Sequence, residues 1–379
     1  MARRAIVPSI ACPIHPAMSS VLIPATILTG FLGSGKTTLL KRVLGEAHGS
    51  RIAVIENEFG EENIDNEILV QDRDEQIVQM SNGCICCTIR DDLRATLSDL
   101  AGRRRRGELL FDRVIIETTG VADPGPVAQT FFMDDDVASQ YLLDSIVTLV
   151  DAVHAPQQLD TRLEAQRQVG FADRIFISKS DLADAAAVSQ LQQRLRRMNP
   201  RAPQQLVHFG EVPLKEVLDL RGFNLNARLE IDPEFLVEQE HHEHGHGHGH
   251  DHHDHDHDHD HACTEDHEHG PGCAHHHHHD DDVKSFVFRA TQAFDPARLE
   301  EFLGTIVQIY GPRMLRYKGV LNMKGIDRKV VFQGVHQLMG SDLAAAWGPQ
   351  ETRESRIVFI GIDLPRDIIE QGLRQALAA

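Results

Sequence analysis

GFLGSGKT, Gly30–Thr37, restricts the fold more than any other stretch of this chain. It matches GxxxxGK[ST], with an Ile/Leu strand pattern, VLIPATILT, before it and a helical pattern, TTLLKRVLGEAH, after it. A polyphosphate is densely anionic and needs backbone N–H groups converging on it, which glycines permit by removing Cβ, together with a helix N-terminus and a cation. Gly30, Phe31, Leu32, Gly33, Ser34, Gly35, Lys36, Thr37 and Thr38 would line that cradle. Lys36 would supply the cation for the β- and γ-phosphates, and the Thr37 hydroxyl would ligate Mg²⁺. A Gly-rich turn that matches by chance is the competing reading; the strand and helix on either side weigh against it.

Such a loop requires a sheet behind it. VLIPATILT, RIAVIE, DRVIIE, SIVTLVDA, DRIFISK and QQLVHF are short Ile/Val-rich runs bounded by polar or Gly turns, so they read as buried strands. Helical patterns separate several of them; Leu93, Leu97 and Leu100 fall on one helix face. The alternation predicts an α/β domain with a mostly parallel, doubly wound sheet over residues 21–212. A linker over 213–240 and an insert over 241–282 follow. SFVFRA, RYKGVLNM, KVVFQGV and SRIVFIGI then read as strands, with helical patterns near 295–309 and 366–377. Residues 283–379 are therefore expected to form a smaller α+β domain with helices on one face of its sheet.

The insert carries much of the charge. Between His241 and Asp282 stand twelve Asp or Glu, no Lys or Arg, and nineteen of the 24 histidines; without those acids the formal charge of −19 falls to −7. That balance argues against a nucleic-acid partner. Almost no apolar residue lies in the segment, so nothing offsets the entropy of ordering it, and it is expected to be disordered. Neutral imidazoles interspersed with carboxylates bind divalent transition metals; His241, His242, His244, His246, His248 and His250 open a run of loose, exchangeable sites. Arg103–Arg106 is the one basic cluster and reads as a solvated loop. No apolar run is long enough to cross a bilayer. Residues 1–20 are broken by Pro8, Pro13 and Pro16, so they read as an unstructured tail without an export signal, and Met18 is an alternative start. A reducing, cytoplasmic setting follows, in which clustered cysteines serve metals or redox chemistry more than disulfides.

Two further motifs concern the nucleotide. RVIIETTG ends a strand in Glu117, placed to organise Mg²⁺ and its waters as Walker-B acids do, and its extra methylene favours a water-mediated contact. Gly120 could offer its N–H to a γ-phosphate. Lys36 and Glu117 are the candidate catalytic residues. In SKSD, Ser178–Asp181, the Asp181 carboxylate can accept from guanine N1–H and N2–H, a donor pair adenine lacks, while Lys179 would cover the ring face. Ser178 stands where the usual signature has Asn, at the expense of one loop-ordering hydrogen bond. GTP is the expected nucleotide.

In NGCICCTIR, the thiolates of Cys84, Cys86 and Cys87 could converge on one borderline-soft cation such as Zn²⁺, leaving a tetrahedral site one ligand short, as suits a carrier. A redox pair of Cys84 and Cys87, or simple packing, are the other readings. GFLGSGKTTLL, IENEFGE, GCICC, IETTGVADPGP and SKSD, in that order, with RYKGVL and FQGVHQL near the C-terminus, resemble the CobW-like family of P-loop GTPases and its YjiA-type members. The resemblance spans nearly all of residues 21–379 except the insert. It implies a GTP-hydrolysing metallochaperone, zinc its commonest cargo and cobalt or nickel possible, that serves a client metalloprotein. It adds Glu56 and Glu61 as metal ligands, against the ordinary reading of solvated loop acids. Rival functions are cobalt delivery for cobalamin synthesis, a nickel-accessory GTPase and a non-enzymatic zinc buffer. No glutamine stands in an obvious place beside Gly120 to position the attacking water. A homo-oligomer is compatible with the sequence.

Overall fold

The structure, a computed structural model, describes residues 22–46, 49–56, 76–79, 88–223 and 281–379. Its first sheet has seven strands in the order β3-β2-β4-β1-β5-β6-β7, all pairs parallel. These are β1 (Ile23–Gly30), β2 (Ile52–Glu56), β3 (Gln76–Gln79), β4 (Arg113–Glu117), β5 (Tyr141–Asp151), β6 (Arg174–Ser178) and β7 (Gln204–Val207). Helices cover both faces, as the doubly wound reading expects. The alternation along each strand shows it: Ile175 and Ile177 of β6 join the core under helices α2 (Thr88–Arg105), α3 (Pro124–Met133) and α6 (Leu163–Phe171), while Phe176 joins that under α1 (Lys36–Gly45). Three further helices are described in this unit: α4 (Asp135–Ala138), α5 (Ala155–Thr161) and α7 (Ala185–Met198).

Two sequence expectations change here. Arg103–Arg105 form the last turn of α2 and are not a loop; cations at a helix C-terminus offset the orphan carbonyls there, and Arg104 Nε donates to Phe111 O at 2.8 Å. Asp281, counted among the acids of the insert, is buried and clamped by Arg194 at 2.5 Å.

The second sheet is antiparallel, β11-β10-β9-β12-β8, built from β8 (Val283–Ala290), β9 (Met314–Leu321), β10 (Arg328–Val335), β11 (Leu338–Ala346) and β12 (Ser355–Ile362). Helices α8 (Pro296–Tyr310) and α9 (Arg366–Gln375) pack on one face against Phe286, Phe288, Ile357 and Phe359. The opposite face is also buried: Val287, Val358 and Ile360 join the core of the first domain. Gly170 of α6 makes this contact possible, since a Cβ there would meet Leu315 Cδ1 at 2.7 Å and Val283 Cγ1 at 3.1 Å. Among the described residues no helix is long and apolar enough to cross a membrane.

Candidate nucleotide and metal site

The residues predicted to meet phosphate gather at the C-terminal edge of the parallel sheet, where open α/β sheets bind ligands. Gly30 ends β1 at φ 141°, and a side chain there would strike Leu149 O; only glycine fits. Gly33 and Gly35 also have positive φ, and Gly35 caps α1. Lys36, nearly buried, turns back onto the loop and donates to Gly30 O at 2.8 Å and Phe31 O at 3.4 Å. Burial lowers its pKa, and the nearby Glu117 carboxylate opposes that shift. Ser34 Oγ is buried with no partner among the described residues. An ammonium resting on loop carbonyls, a lone buried hydroxyl and a cradle that a Cβ would fill all fit an anionic ligand.

Glu117 faces this loop from the end of β4. Thr37 Oγ1 donates to its Oε1 at 3.4 Å, so the hydroxyl and carboxylate predicted to organise Mg²⁺ lie together, a donor set of hard oxygens that fits the ion. Glu56 ends β2 in register with Glu117. This expected zinc ligand therefore lies beside the acid expected to serve Mg²⁺. Cys84, Cys86, Cys87, Glu61 and His241, His242, His244, His246, His248 and His250 lie outside the described residues; α2 begins at Thr88, directly after Cys87. Among the described residues no three His, Cys, Asp or Glu side chains form a metal-holding group.

Gly120 follows β4 and presses on the phosphate loop: a Cβ there would sit 2.6 Å from Leu32 N. The same segment is clamped from behind by Gln168 of α6, whose buried Nε2 donates to Gly120 O at 3.1 Å and Ala122 O at 3.0 Å. Sequence reading placed no glutamine here, because Gln168 lies 48 positions away and looks like an ordinary polar helix residue. It grips backbone carbonyls, so its role is to hold the loop.

The base-reading motif lies on the neighbouring strands. Ser178 Oγ donates to Ser34 O at 2.7 Å, so its short side chain keeps a tie to the phosphate loop. Lys179 adopts a left-handed conformation at φ 56° and its ammonium pairs with Asp151 at 2.7 Å. Asp151, an acid the sequence did not single out, is buried; burial would raise its pKa, but bonds from Lys179, His154 and two backbone N–H groups hold it below the usual carboxylate range. Asp181 opens to solvent in a single 3-10 turn, with His208 Nδ1 at 3.3 Å.

Residues 24–205 match the CobW/HypB/UreG nucleotide-binding domain and residues 283–377 match the cobalamin synthesis protein CobW C-terminal domain. The chain is 38% identical over 359 residues to zinc chaperone YjiA of Escherichia coli (strain K12), which spans 94% of this chain and 98% of that protein. It is 32% identical over 395 residues to zinc chaperone CobW of Pseudomonas aeruginosa, spanning 96% and 94%. The crystal structure of Zn(II)-bound YjiA GTPase from E. coli superposes with a TM-score of 0.70 at 32% identity, covering 94% of this chain and 99% of that one. With both domains matched and full-length relatives at this identity, the chain belongs to the CobW family of P-loop GTPases.

Proposed function

We infer that the protein hydrolyses GTP and uses the nucleotide cycle to hold a divalent transition metal, zinc foremost, and hand it to a client metalloprotein. The observation that supports it most is the cradle itself. Lys36 sits on the Gly30 and Phe31 carbonyls, Thr37 meets Glu117, and Gly120 lies against Leu32, which supports reading them as phosphate loop, Mg²⁺-organising acid and γ-phosphate contact of one site. Relatives over the whole chain are named zinc chaperones, and the YjiA GTPase structure holds Zn(II).

In this reading Lys36 leaves its two carbonyls for the β- and γ-phosphates. Mg²⁺, when bound, neutralises charge developing on the phosphate oxygens, with Thr37 as ligand and Glu117 ordering its waters. Gly120 turns its N–H to the γ-phosphate, and Gln168 makes that movement felt in α6. Cys84, Cys86 and Cys87 hold the cargo, and Glu56, one strand from Glu117, gives the metal and nucleotide sites a common wall. The histidine-rich insert collects metal and raises its local concentration.

Titrating zinc, cobalt and nickel calorimetrically into protein loaded with a non-hydrolysable GTP analogue or with GDP tests the coupling. We expect zinc affinity to differ between the two states by roughly 5- to 150-fold, the usual range of such linkage. The difference should vanish in the triple Cys84→Ser, Cys86→Ser, Cys87→Ser variant, and Lys36→Ala should lose the analogue while staying folded. Equal zinc affinity in both nucleotide states would overturn the reading.

A further inference from the structure

The turn after β7 carries an arrangement that no contact among the described residues explains. Phe209 is 74% exposed, yet its backbone is left-handed at φ 46°, a conformation unfavourable for any residue with a Cβ and rare for an aromatic. Neither burial nor a cap requires that strain. The turn is nonetheless firmly built: Glu211 N donates to His208 O at 2.9 Å, and Arg42 of α1 reaches Glu211 at 3.6 Å. Gly210, at φ 73°, lies so close to α1 that a Cβ would meet Leu39 Cα at 3.1 Å. The ring of His208 meets that of Phe209 edge-on, centroids 4.5 Å apart, while His208 Nδ1 faces Asp181. Because β6 and β7 are parallel neighbours with Ser178 opposite Val207, the SKSD turn and the His208–Glu211 turn leave the same sheet edge side by side.

We propose that Phe209 is a wall of the base slot, stacking on the face of guanine opposite Lys179, and that His208 positions the Asp181 carboxylate that reads the guanine edge. This inference rests on the GTP reading above. An exposed flat ring joined through His208 to a carboxylate with two acceptor oxygens suits a flat ligand with two adjacent donors. The left-handed backbone goes with a ring left open to solvent, and the close approach of Gly210 to α1 ties this turn to the helix that follows the phosphate loop.

The test measures GDP and ADP affinity of the full-length protein by calorimetry, with thermal midpoints alongside. Phe209→Ala should weaken GDP binding roughly tenfold or more, as loss of a base–aromatic stack does, and Phe209→Tyr should restore it. Phe209→Gly separates ligand from structure: relief of the left-handed strain should leave the midpoint equal or higher, yet GDP should bind as weakly as to Phe209→Ala. His208→Ala should reduce the preference for GDP over ADP. GDP affinity of Phe209→Ala within about twofold of the native protein overturns the stacking wall, as does a large drop in midpoint for Phe209→Gly. An unchanged GDP-to-ADP ratio in His208→Ala removes the positioning role. A native protein that does not prefer GDP would sink the guanine reading itself; equal weakening of both nucleotides in Phe209→Ala would then leave only the wall standing.

Discussion

His336 lies where the segment after Gly120 meets the second domain. Its backbone is left-handed at φ 52°, its Nδ1 donates to Gly311 O at 3.2 Å, and its ring packs edge-on against Phe171. A Cβ on Gly125, two residues after Asp123, would lie 2.7 Å from Nε2, so the first domain crowds the imidazole on that side. Burial lowers its pKa below the ordinary 6.5; Asp123 and the Gly311 carbonyl oppose that shift, and Arg167 adds to it. The unfolded chain therefore binds this proton more readily than the native protein does. Stability from His336 is fully present above the unfolded pKa and is lost as pH falls toward the depressed native value. Acidification from about pH 7.5 to about pH 5.5 should lower the thermal midpoint of the native protein more than that of His336→Asn, asparagine being the substitute that tolerates this backbone. The substitution leaves every other histidine of the chain in place, so the difference between the two curves isolates His336. Parallel midpoint-versus-pH curves would show that His336 contributes nothing.

Helix α6 links the nucleotide edge of one domain to the sheet of the other. Gln168 holds Gly120 and Ala122, Arg167 pairs with Asp123 at 2.7 Å, and Gln166 accepts from Val283 N of β8 at 2.9 Å. Gln168→Leu keeps the side chain's bulk but takes the amide donor from the buried Gly120 carbonyl and the part-buried Ala122 carbonyl, a loss of about 1–3 kcal/mol. We expect a lower urea midpoint and weaker triphosphate binding, with diphosphate binding little changed, because the loop released is the one proposed to meet the γ-phosphate. Unchanged stability would mean that water replaces the amide. None of this was legible beforehand, since both faces of α6 are covered and its glutamines resemble surface residues until their partners are known. The strands of the first sheet were legible for the opposite reason: covered on both sides, they appear as unbroken Ile/Val runs. QIVQ, too short and polar-ended, escaped notice, and so did LMGSDLAAA of β11, an edge strand exposed on most of both faces and so without alternation. The phosphate loop could be read because its requirements are local. Asp151, His208 and Phe209 could not, because their meaning depends on β5, β6 and β7 lying next to one another.

The two domains share one core and also a buried charge cluster, which makes them a single mechanical body. Asp173, just before β6, accepts from Ile146 N at 2.9 Å, pairs with Arg316 of β9 at 2.9 Å and lies 3.6 Å from Arg201. Arg316 is almost wholly buried, its guanidinium 3.9 Å over the Phe223 ring. Burial, together with neighbouring cations, drives Arg201 to about 10 and Lys318 to about 8. The Asp173 carboxylate thus pairs with Arg316 and Arg201 in the interface, and neutralising it removes the charge that both face; breaking such a buried pair costs about 3–5 kcal/mol. Asp173→Asn, nearly identical in shape, should lower the calorimetric midpoint of the full chain by roughly 5–10 °C. Nucleotide affinity should hold within about twofold, because Ser178 stands five residues further along the strand, roughly 17 Å away at 3.3 Å per residue. A midpoint shift under about 2 °C would mean that the shared apolar core alone docks the domains. A stability loss accompanied by an equal loss of GTP binding would mean something more: that the interface, and not α6 alone, carries the state of the nucleotide into the second domain.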